Sequence, residues 1–193
     1  MISHENTQQS DEELVILTRN DPSFFGLLME RYEAKMLLYI KRISAVTTEE
    51  AEDVLQESFL KAYQNVNSFD EKLSFSSWLY RIVHNETISY WRKKKIRPHG
   101  NTIFVDDDFL ERIADARDMV ADVDKKHLKD VVQKVFDVMD EKYRDILILK
   151  YIEDKNYEEI SDILKKPAGT VATHINRAKK QFKELYQKSN INV

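Results

Sequence analysis

The 193-residue chain contains no cysteine, three glycines, three prolines and no apolar stretch near the roughly 20 residues that a membrane-spanning helix needs. Without cysteine it can form neither a disulfide nor a thiolate metal site, which fits a reducing cytosol. The polar residues 1–11 carry no apolar run of the kind found in secretory signals. The five histidines are scattered without helical ligand spacing, so a histidine metal site is not expected.

The scarcity of glycine, together with the lack of sustained alternation of apolar and polar residues, predicts an all-α fold. The chain also has no glycine-rich phosphate loop and no Ser/His/Asp pattern that would support nucleophilic catalysis. We therefore expect neither an enzyme nor a bound cofactor.

Charge is unevenly distributed along a chain whose net charge is -4. Residues 165–188 contain many cations and one acid, Glu184, and residues 81–97 contain many cations and one acid, Glu86. Between them, residues 98–124 are rich in Asp and Glu, with Arg112 and Arg117 as their only cations. Such sorting creates two local anion-binding patches. It predicts a protein that holds a polyanion at two separated places.

The hydrophobic pattern divides the chain into two helical units. We expect a tail and the start of the first helix at 1–20, a first unit at 21–97, a flexible acidic linker at 98–124 and a second unit at 125–193. Transient helix is predicted within the linker at 109–113, and helices in the second unit at 128–139, 143–152, 157–164 and 168–187. Each unit has about 70 to 80 residues, a size at which a domain is only marginally stable alone.

The second helix of the first unit has two contrasting faces. Its start is indicated by Thr47 and Glu50, and its inward face is predicted to contain Ala51, Val54, Leu55, Ser58, Phe59, Ala62 and Tyr63. The opposite face contains Asp53, Gln56, Glu57 and Leu60. Such an acidic face would repel DNA. It is either simply solvated, which is the default for a charged face, or a docking surface for a basic partner protein.

Residues 156–187 read as a helix-turn-helix. Asn156 and Glu159 form a predicted capping box, and residues 165–169 form the turn. In the last helix the residues predicted to face inward are Val171, Ile175, Ala178, Phe182 and Leu185. The opposite face carries Thr170, Thr173, Asn176, Arg177 and Lys180, whose side chains suit base edges and phosphates in a major groove. An ordinary amphipathic helix pair with a solvated face is the alternative.

An aromatic and basic helix is predicted at the end of the first unit. Tyr80, His84, Thr87 and Trp91 would follow one line of its surface, with Arg81, Asn85 and Arg92 beside them. Aromatic platforms next to cations bind unpaired nucleotides by stacking and phosphate neutralisation. Phe75 and Trp78 share the spacing of Leu79 and Ile82, so we place both in the core. A membrane-surface role for residues 91–97 is disfavoured because the apolar face is committed to that core.

These features, in this order, resemble the small extracytoplasmic-function class of bacterial RNA polymerase sigma factors. The resemblance rests on residues 53–63 (DVLQESFLKAY), 75–82 (FSSWLYRI), 157–160 (YEEI) and 167–171 (PAGTV). It covers residues 12–97 and 125–187. The chain departs from the family at Ala172 and His174, where members often carry basic residues, and in the loop 69–74 (FDEKLS), whose sequence is its own, so the base that this loop captures does not transfer from the family.

The resemblance implies a site for each half of the chain. Polymerase binding would use Asp53, Gln56, Glu57 and Leu60. The minus-ten element, melted to a single strand, would contact Asn67, Phe69, Ser74, Tyr80, Arg81, Asn85, Trp91, Arg92 and Lys93. The minus-thirty-five element would contact Thr170, Ala172, Thr173, His174, Asn176, Arg177 and Lys180.

The resemblance also implies partners. These are the clamp helices of the largest subunit of core RNA polymerase, the flap of the second-largest subunit, promoter DNA and an anti-sigma factor. It implies a cytoplasmic protein that directs promoter-specific initiation for a stress or envelope-type regulon. Two alternatives stay open: a regulator that binds duplex DNA through the helix-turn-helix alone, and a helical interaction protein with no nucleic-acid role.

Overall fold

The computed structural model describes residues 9–94, 103–115 and 125–190. These residues form helices and connecting turns, and no β-strand occurs among them. Several predictions concern residues outside these ranges: the tail at 1–8, the end of the first basic stretch at 95–97, the linker at 98–102 and 116–124, and the C-terminus at 191–193.

The described helices form two units in chain order. The first contains α1 (Asp11–Thr18), α2 (Ser23–Ile43), α3 (Thr48–Gln64) and α4 (Phe75–Lys94), with a 3-10 turn at Val66–Ser68. A short helix, α5 (Asp107–Asp115), comes next. The second unit contains α6 (Lys125–Val138), α7 (Glu141–Leu147), a π-helical turn at Ile148–Ile152, α8 (Tyr157–Leu164) and α9 (Ala168–Asn190). The prediction of an all-α fold with two helical units is confirmed.

Helix starts follow the capping signals in the sequence. Thr47 accepts from the backbone N–H of Glu50, whose carboxylate accepts from the backbone N–H of Thr47, and Asn156 and Glu159 pair in the same way. A third box, Ser10 with Glu13, starts α1. Each box satisfies N–H groups that a helix start would otherwise leave unpaired. Residues 1–20, predicted as a tail and the start of the first helix, contain a separate helix, α1, at Asp11–Thr18.

The core of the first unit lies between α2, α3 and α4. Most of the predicted inward face of α3 is buried, but Tyr63 is 39% exposed and touches the core through its ring, 5.4 Å from that of Phe25. On α4, Phe75 and Trp78 are buried, as expected from their spacing. In the second unit Val171, Ile175, Ala178 and Phe182 of α9 are buried, also as expected, and Leu185 packs at the edge.

The described part of the acidic linker differs from the predicted flexible segment. Ile103, Val105, Phe109 and Ile113 are buried, and the Phe109 ring lies 5.1 Å from that of Phe136 in α6. The segment also joins the first unit, because the backbone N–H of Phe104 donates to the carbonyl of Lys41 over 3.1 Å. The prediction of flexibility is wrong for residues 103–115. Burial of these apolar side chains offsets the entropy lost on ordering the segment.

The two units pack directly on one another, chiefly through α4 and α8. Arg144 of α7 reaches across to the carbonyl of Ile43, 2.9 Å away, and lies over the ring of Trp91. This packing decides which predicted site residues are accessible.

Candidate nucleic-acid and polymerase interfaces

The acidic face of α3 is exposed in the structure. Asp53, Gln56, Glu57 and Leu60 all lie on the solvent side, and Leu60 is 50% exposed. Their spacing of three and four residues aligns them along one side of the helix, opposite the buried Val54 and Leu55. An exposed leucine among carboxylates is a typical arrangement for a protein-binding surface with an apolar centre and a polar rim.

Lys61 partly neutralises the negative charge of this face. Its ammonium group lies 3.5 Å from Glu57 and 2.5 Å from Glu86 of α4, and these carboxylates raise the pKa of Lys61. The pair with Glu57 is exposed and therefore weak. Asp53 lies one turn away, so the negative potential is concentrated at the N-terminal part of the face.

The outer face of α9 is also accessible. Thr173, Asn176, Arg177 and Lys180 are exposed, while Thr170, Ala172 and His174 are partly buried. The Thr173 hydroxyl donates to the carbonyl of Gly169 over 2.9 Å and can still accept from a base edge. The helix therefore presents an amide and two cations to solvent. This side-chain set can read and hold duplex DNA.

His174 is a less obvious member of this face. Its ring meets that of Tyr143 edge-on, with 5.8 Å between centroids. Partial burial, with Lys166 and Arg177 nearby, lowers the pKa of His174. It is therefore neutral at physiological pH and suits a hydrogen bond to a base better than a phosphate contact.

The turn of the helix-turn-helix is set by Lys165. This residue ends α8 in the left-handed conformation, with a φ of 51°, and its backbone N–H donates to the carbonyl of Ser161. Pro167 then precedes α9. The reversal brings α8 against α9 and turns the polar face of α9 outward.

The predicted aromatic line on α4 does not lie on the surface. Tyr80 and Thr87 are fully buried, Trp91 is 6% exposed and His84 is partly buried. The expectation that Tyr80 and Trp91 stand exposed is wrong for this conformation, because α4 is covered on its second side by α7 and α8. Their role in holding DNA stays a prediction.

Hydrogen-bond donors on α4 meet carboxylates from the second unit. Arg81 lies 2.7 Å from Asp162, the Ser77 hydroxyl lies 3.3 Å from Glu159, and the Tyr80 hydroxyl donates to Glu153. In the reverse direction, the ammonium group of Lys155 donates to the Ser76 hydroxyl over 2.7 Å. We call these contacts the α4–α8 seam.

Beside the seam lies an ion cluster centred on the buried Arg42 and Glu153. Arg42 contacts Glu153 at 3.0 Å and both Asp106 and Asp108 at 3.1 Å, so one guanidinium joins the first unit, the linker and the second unit. Burial opposes the charge on Arg42, but Glu153 and Asp106 outweigh it and raise the pKa of Arg42. Burial next to Glu153 likewise raises the pKa of the Tyr80 hydroxyl, which stays protonated and able to donate.

The remaining minus-ten residues divide into two groups. Asn67, Ser74, Asn85, Arg92 and Lys93 are exposed. Phe69 is buried instead, because its ring packs at 6.0 Å from Phe75 and 5.4 Å from Trp78. Its side chain is therefore part of the core below the loop, and a base captured by this loop would meet the polar residues around it.

Sequence reasoning missed Arg42, Glu153 and Asp106. The one available signal was the position of Arg42, a cation close to the apolar face of α2 between Tyr39 and Ile43. A charged residue there requires a buried partner. No local pattern indicates that its partners come from residues more than 60 positions away.

Within the ranges that the structure describes, no group of three His, Asp or Glu side chains is arranged to hold a metal ion. None of the helices in those ranges is long and apolar enough to cross a membrane.

Comparison with known proteins supports the sequence resemblance. The family described as Sigma-70 region 2 matches residues 28–96, and that described as Sigma-70, region 4 matches residues 129–182. The ECF RNA polymerase sigma factor SigW of Bacillus subtilis is 34% identical over 178 residues, which cover 86% of this chain and 93% of that protein. The ECF RNA polymerase sigma-E factor of Haemophilus influenzae is 30% identical over 185 residues, covering 93% and 97%.

A solved structure shares the fold. CnrH, determined in complex with the cytosolic domain of CnrY, matches with a TM-score of 0.67 at 20% identity, covering 93% of this chain and 99% of that chain.

Proposed function

Since this chain belongs to the extracytoplasmic-function family of RNA polymerase sigma factors, we propose how its surfaces divide the work of promoter-specific transcription initiation. Members of the family are initiation factors and not enzymes. The observation that carries the assignment of surfaces is that the acidic face of α3 and the outer face of α9 are both exposed, on units that match regions 2 and 4. A regulator that used only the helix-turn-helix would leave the whole region 2 match without a role.

The α3 face docks on core RNA polymerase. Asp53 and Glu57 supply charge for a basic surface, Gln56 supplies hydrogen bonds, and Leu60 supplies apolar area. The partner surface that the resemblance offers is the clamp helices of the largest subunit. The second unit would bind the flap of the second-largest subunit.

Charge reversal tests this docking. Asp53→Arg should weaken core binding about tenfold or more, because like charges would face each other across the interface. Glu33→Arg is a matched control, since Glu33 is exposed on α2 outside the α3 face and undergoes the same charge change. Equal affinities of the two variants for purified core enzyme would rule the α3 face out.

The outer face of α9 reads the minus-thirty-five element. Asn176 and Arg177 lie at the centre of the exposed face, with Thr173 and Lys180 at its sides. Arg177→Ala should cost about 1–3 kcal/mol of binding if it contacts a base, and should relax specificity at one position. Lys183→Ala, on an exposed position of the same helix, removes the same charge as a control. If both variants lost affinity equally for all promoter sequences, Arg177 would contact a phosphate and not a base.

The α4 face and its neighbouring loop hold the melted minus-ten strand. Asn67, Ser74, Asn85, Arg92 and Lys93 are accessible for this role, whereas Tyr80, Arg81 and Trp91 become accessible only when the second unit moves away from α4. Opening about ten base-pair steps costs roughly 14 kcal/mol at about 1.4 per step. Stacking two bases returns about 2–6 kcal/mol. Core polymerase must therefore supply the difference.

In vitro transcription tests the proposal as a whole. Purified chain and core enzyme should produce promoter-specific transcripts from a library of upstream sequences, and neither component should do so alone. Transcription by core enzyme that does not change when the chain is added would refute the function. The regulon, whether of a stress or envelope type, stays a prediction.

We also propose a protein inhibitor of the anti-sigma kind, with the chain acting in the cytoplasm beside polymerase and promoters. The similar fold of CnrH, solved with a bound cytosolic domain, supports this partner class. A protein that copurifies with the chain from its own cells should, once purified, abolish transcription by the holoenzyme. A copurifying protein without effect on that reaction would not be the inhibitor.

A further inference from the structure

A cleft of about 410 Å³ lies between α4, α7 and the turn that joins α8 to α9. Its walls contain four cations, and each of the three elements supplies at least one of them: Arg92, Lys142, Lys165 and Lys166. We propose that this cleft binds a small ligand that carries a diphosphate group. Such a ligand would bind the chain alone, so the inference goes beyond the proposed function and does not rest on it.

Most of the positive charge in the cleft is not neutralised by ion pairs. Among the described residues, no acidic side chain pairs with Arg92 or Lys166. Lys142 lies 3.7 Å from Asp140, but both side chains are 56% exposed, so solvent weakens their attraction. Three of the four cations are therefore available to an incoming anion.

Carboxylates near the cleft offset only part of the charge that remains. Lys165 lies 2.9 Å from Asp162, whose same oxygen also accepts from Arg81 over 2.7 Å. Two carboxylates line the cleft itself, those of Glu141 and Asp145. Burial raises the pKa of Asp145 to about 7, so this side chain is partly protonated at neutral pH. The cleft therefore keeps an excess of positive charge.

Two histidines are affected by this positive charge. His84 lines the cleft, and burial together with Lys166 lowers its pKa to about 4. Partial burial, with Lys166, Arg177 and Lys142 nearby, also lowers the pKa of His174. Cations that disfavour a proton on a neighbouring imidazole favour an anion in the same space. The histidines therefore support the same ligand charge as the lining residues do.

The hydrogen-bond donors of the cleft suit more than one phosphate group. A phosphate monoester carries a charge of about -1.5 to -2 at neutral pH and three strong acceptor oxygens, and Arg and Lys are its usual partners. Asn85 and Ser89 also line the cleft, and their side chains form no hydrogen bond within the described ranges, so both are free to donate. Two linked phosphate groups would use the four cations and these two donors better than one group would.

The shape of the cleft favours a small ligand over a DNA strand. The cations come from separate elements around a concave space, whereas a strand needs an open groove that follows its backbone. The volume falls in the range of small-molecule sites. Ile88, Ile163 and Leu164 supply an apolar wall, against which an organic group attached to the diphosphate can pack.

Nuclear magnetic resonance with sodium pyrophosphate as the probe tests the site on the full-length chain. The side-chain amide signal of Asn85 should shift during the titration, whereas that of Asn176, on the outer face of α9, should not. Pyrophosphate should bind at least about tenfold more tightly than inorganic phosphate at equal ionic strength, because two linked groups engage cations on different elements. Equal affinities for the two ions, or shifts confined to Asn176, would overturn the proposal.

Charge-removing variants test the lining residues. Lys166→Gln and Lys142→Gln should each weaken pyrophosphate binding about tenfold, since each removes a charge-assisted hydrogen bond. Lys134→Gln is the matched control, because Lys134 lies exposed on α6 outside the cleft and loses the same charge. Cleft variants that bind pyrophosphate as tightly as Lys134→Gln does would overturn the proposal, and two separate positions keep the test independent of the folding of one variant.

Two further probes identify the source of the phosphate. Asn85 and Arg92 are also proposed DNA contacts, so a single-stranded oligonucleotide is titrated in parallel; shifts of Asn85 with the oligonucleotide but not with pyrophosphate would overturn the small-ligand site. Adenosine diphosphate should bind, whereas adenosine, which lacks phosphate, should not. Equal binding of both would show that the diphosphate is not what the cleft recognises. Because these titrations need no polymerase, their outcome is independent of the transcription assay.

Discussion

The buried contact between Arg42 and Glu153 gives the most demanding test of how the two units are held together. Their side chains are 5% and 2% exposed, and 111 residues separate them in sequence. We consider three variants: Glu153→Leu, Arg42→Met and the double substitution. Each replaces a charged side chain by an apolar one of comparable length.

The structure predicts unequal costs for the two single substitutions. Removing one partner of a buried ion pair typically costs about 3–5 kcal/mol, because the other charge is left without compensation. Arg42→Met should reach this range, since the Glu153 carboxylate would keep only the Tyr80 hydroxyl in the described contacts. Glu153→Leu should cost less, about 2 kcal/mol, because Arg42 retains Asp106 and Asp108. The double variant leaves no fully buried carboxylate unpaired, but the buried Tyr80 hydroxyl loses its acceptor and the partly exposed Asp106 loses its cation, so it should lose about 2–3 kcal/mol.

Urea unfolding followed by circular dichroism measures these differences. The free energies of the four proteins form a double-mutant cycle, from which we expect a coupling energy of about 3 kcal/mol. A transition that splits in two for Glu153→Leu would additionally show that this carboxylate makes the units unfold together.

The opposite ranking would refute the reasoning. If Glu153→Leu cost more than Arg42→Met, the aspartates would not be compensating Arg42. A coupling energy below about 0.5 kcal/mol would mean that the pair contributes no more than an exposed one.

Three further predictions concern stability. Lys165→Gly should be about 1 kcal/mol more stable than Lys165→Ala, because glycine adopts the left-handed conformation without strain and both variants lose the same exposed ion pair with Asp162; equal stabilities by thermal unfolding would contradict this. Burial lowers the pKa of His84 to about 4, and its Nδ1 lies 3.0 Å from the Tyr39 hydroxyl. As the pH falls, His84 therefore becomes protonated at a higher pH in the unfolded chain than in the folded chain. The stability that neutral His84 contributes is present above about pH 6.5 and falls as the pH drops towards 4. The wild type should lose about 2 kcal/mol between pH 7.5 and pH 5 relative to His84→Asn, which keeps an acceptor without titrating, and parallel pH profiles would contradict it. Phe109→Ala should lower the free energy of unfolding by about 3–5 kcal/mol, because the ring of Phe109 is fully buried against Phe136. A loss under about 1 kcal/mol would instead support the prediction of a flexible linker.

Local physics made most of the fold predictable from sequence. Capping pairs at Thr47 and Asn156 and the apolar spacing of α3, α4 and α9 are properties of neighbouring residues, so they could be recognised without the structure. The linker segment was predicted wrongly because its acidic residues suggested a solvated chain. Asp106 and Asp108 in fact pair with a buried cation that the sequence does not mark.

The same distinction, between properties of neighbouring residues and contacts between distant ones, separates the parts of the candidate sites that could be predicted from those that could not. The faces of α3 and α9 could be predicted because amphipathicity alone decides which side of each helix is solvated. The burial of Tyr80 and Trp91 could not, since it depends on packing between units that are distant in sequence. In the sequence, polar residues of α4 that form hydrogen bonds with α8 cannot be distinguished from residues that bind a ligand.

The polar contacts that join the two units come from α7, α8, Glu153 and Lys155, and among the described residues the exposed side chains of α9 take no part in the seam. The side chains proposed to read DNA and the side chains that join the two units therefore lie on different helices. Exchanging Asn176, Arg177 and their exposed neighbours should redirect the chain to a new upstream sequence without disturbing the packing of the two units, which makes the last helix a natural place for promoter preferences to diverge.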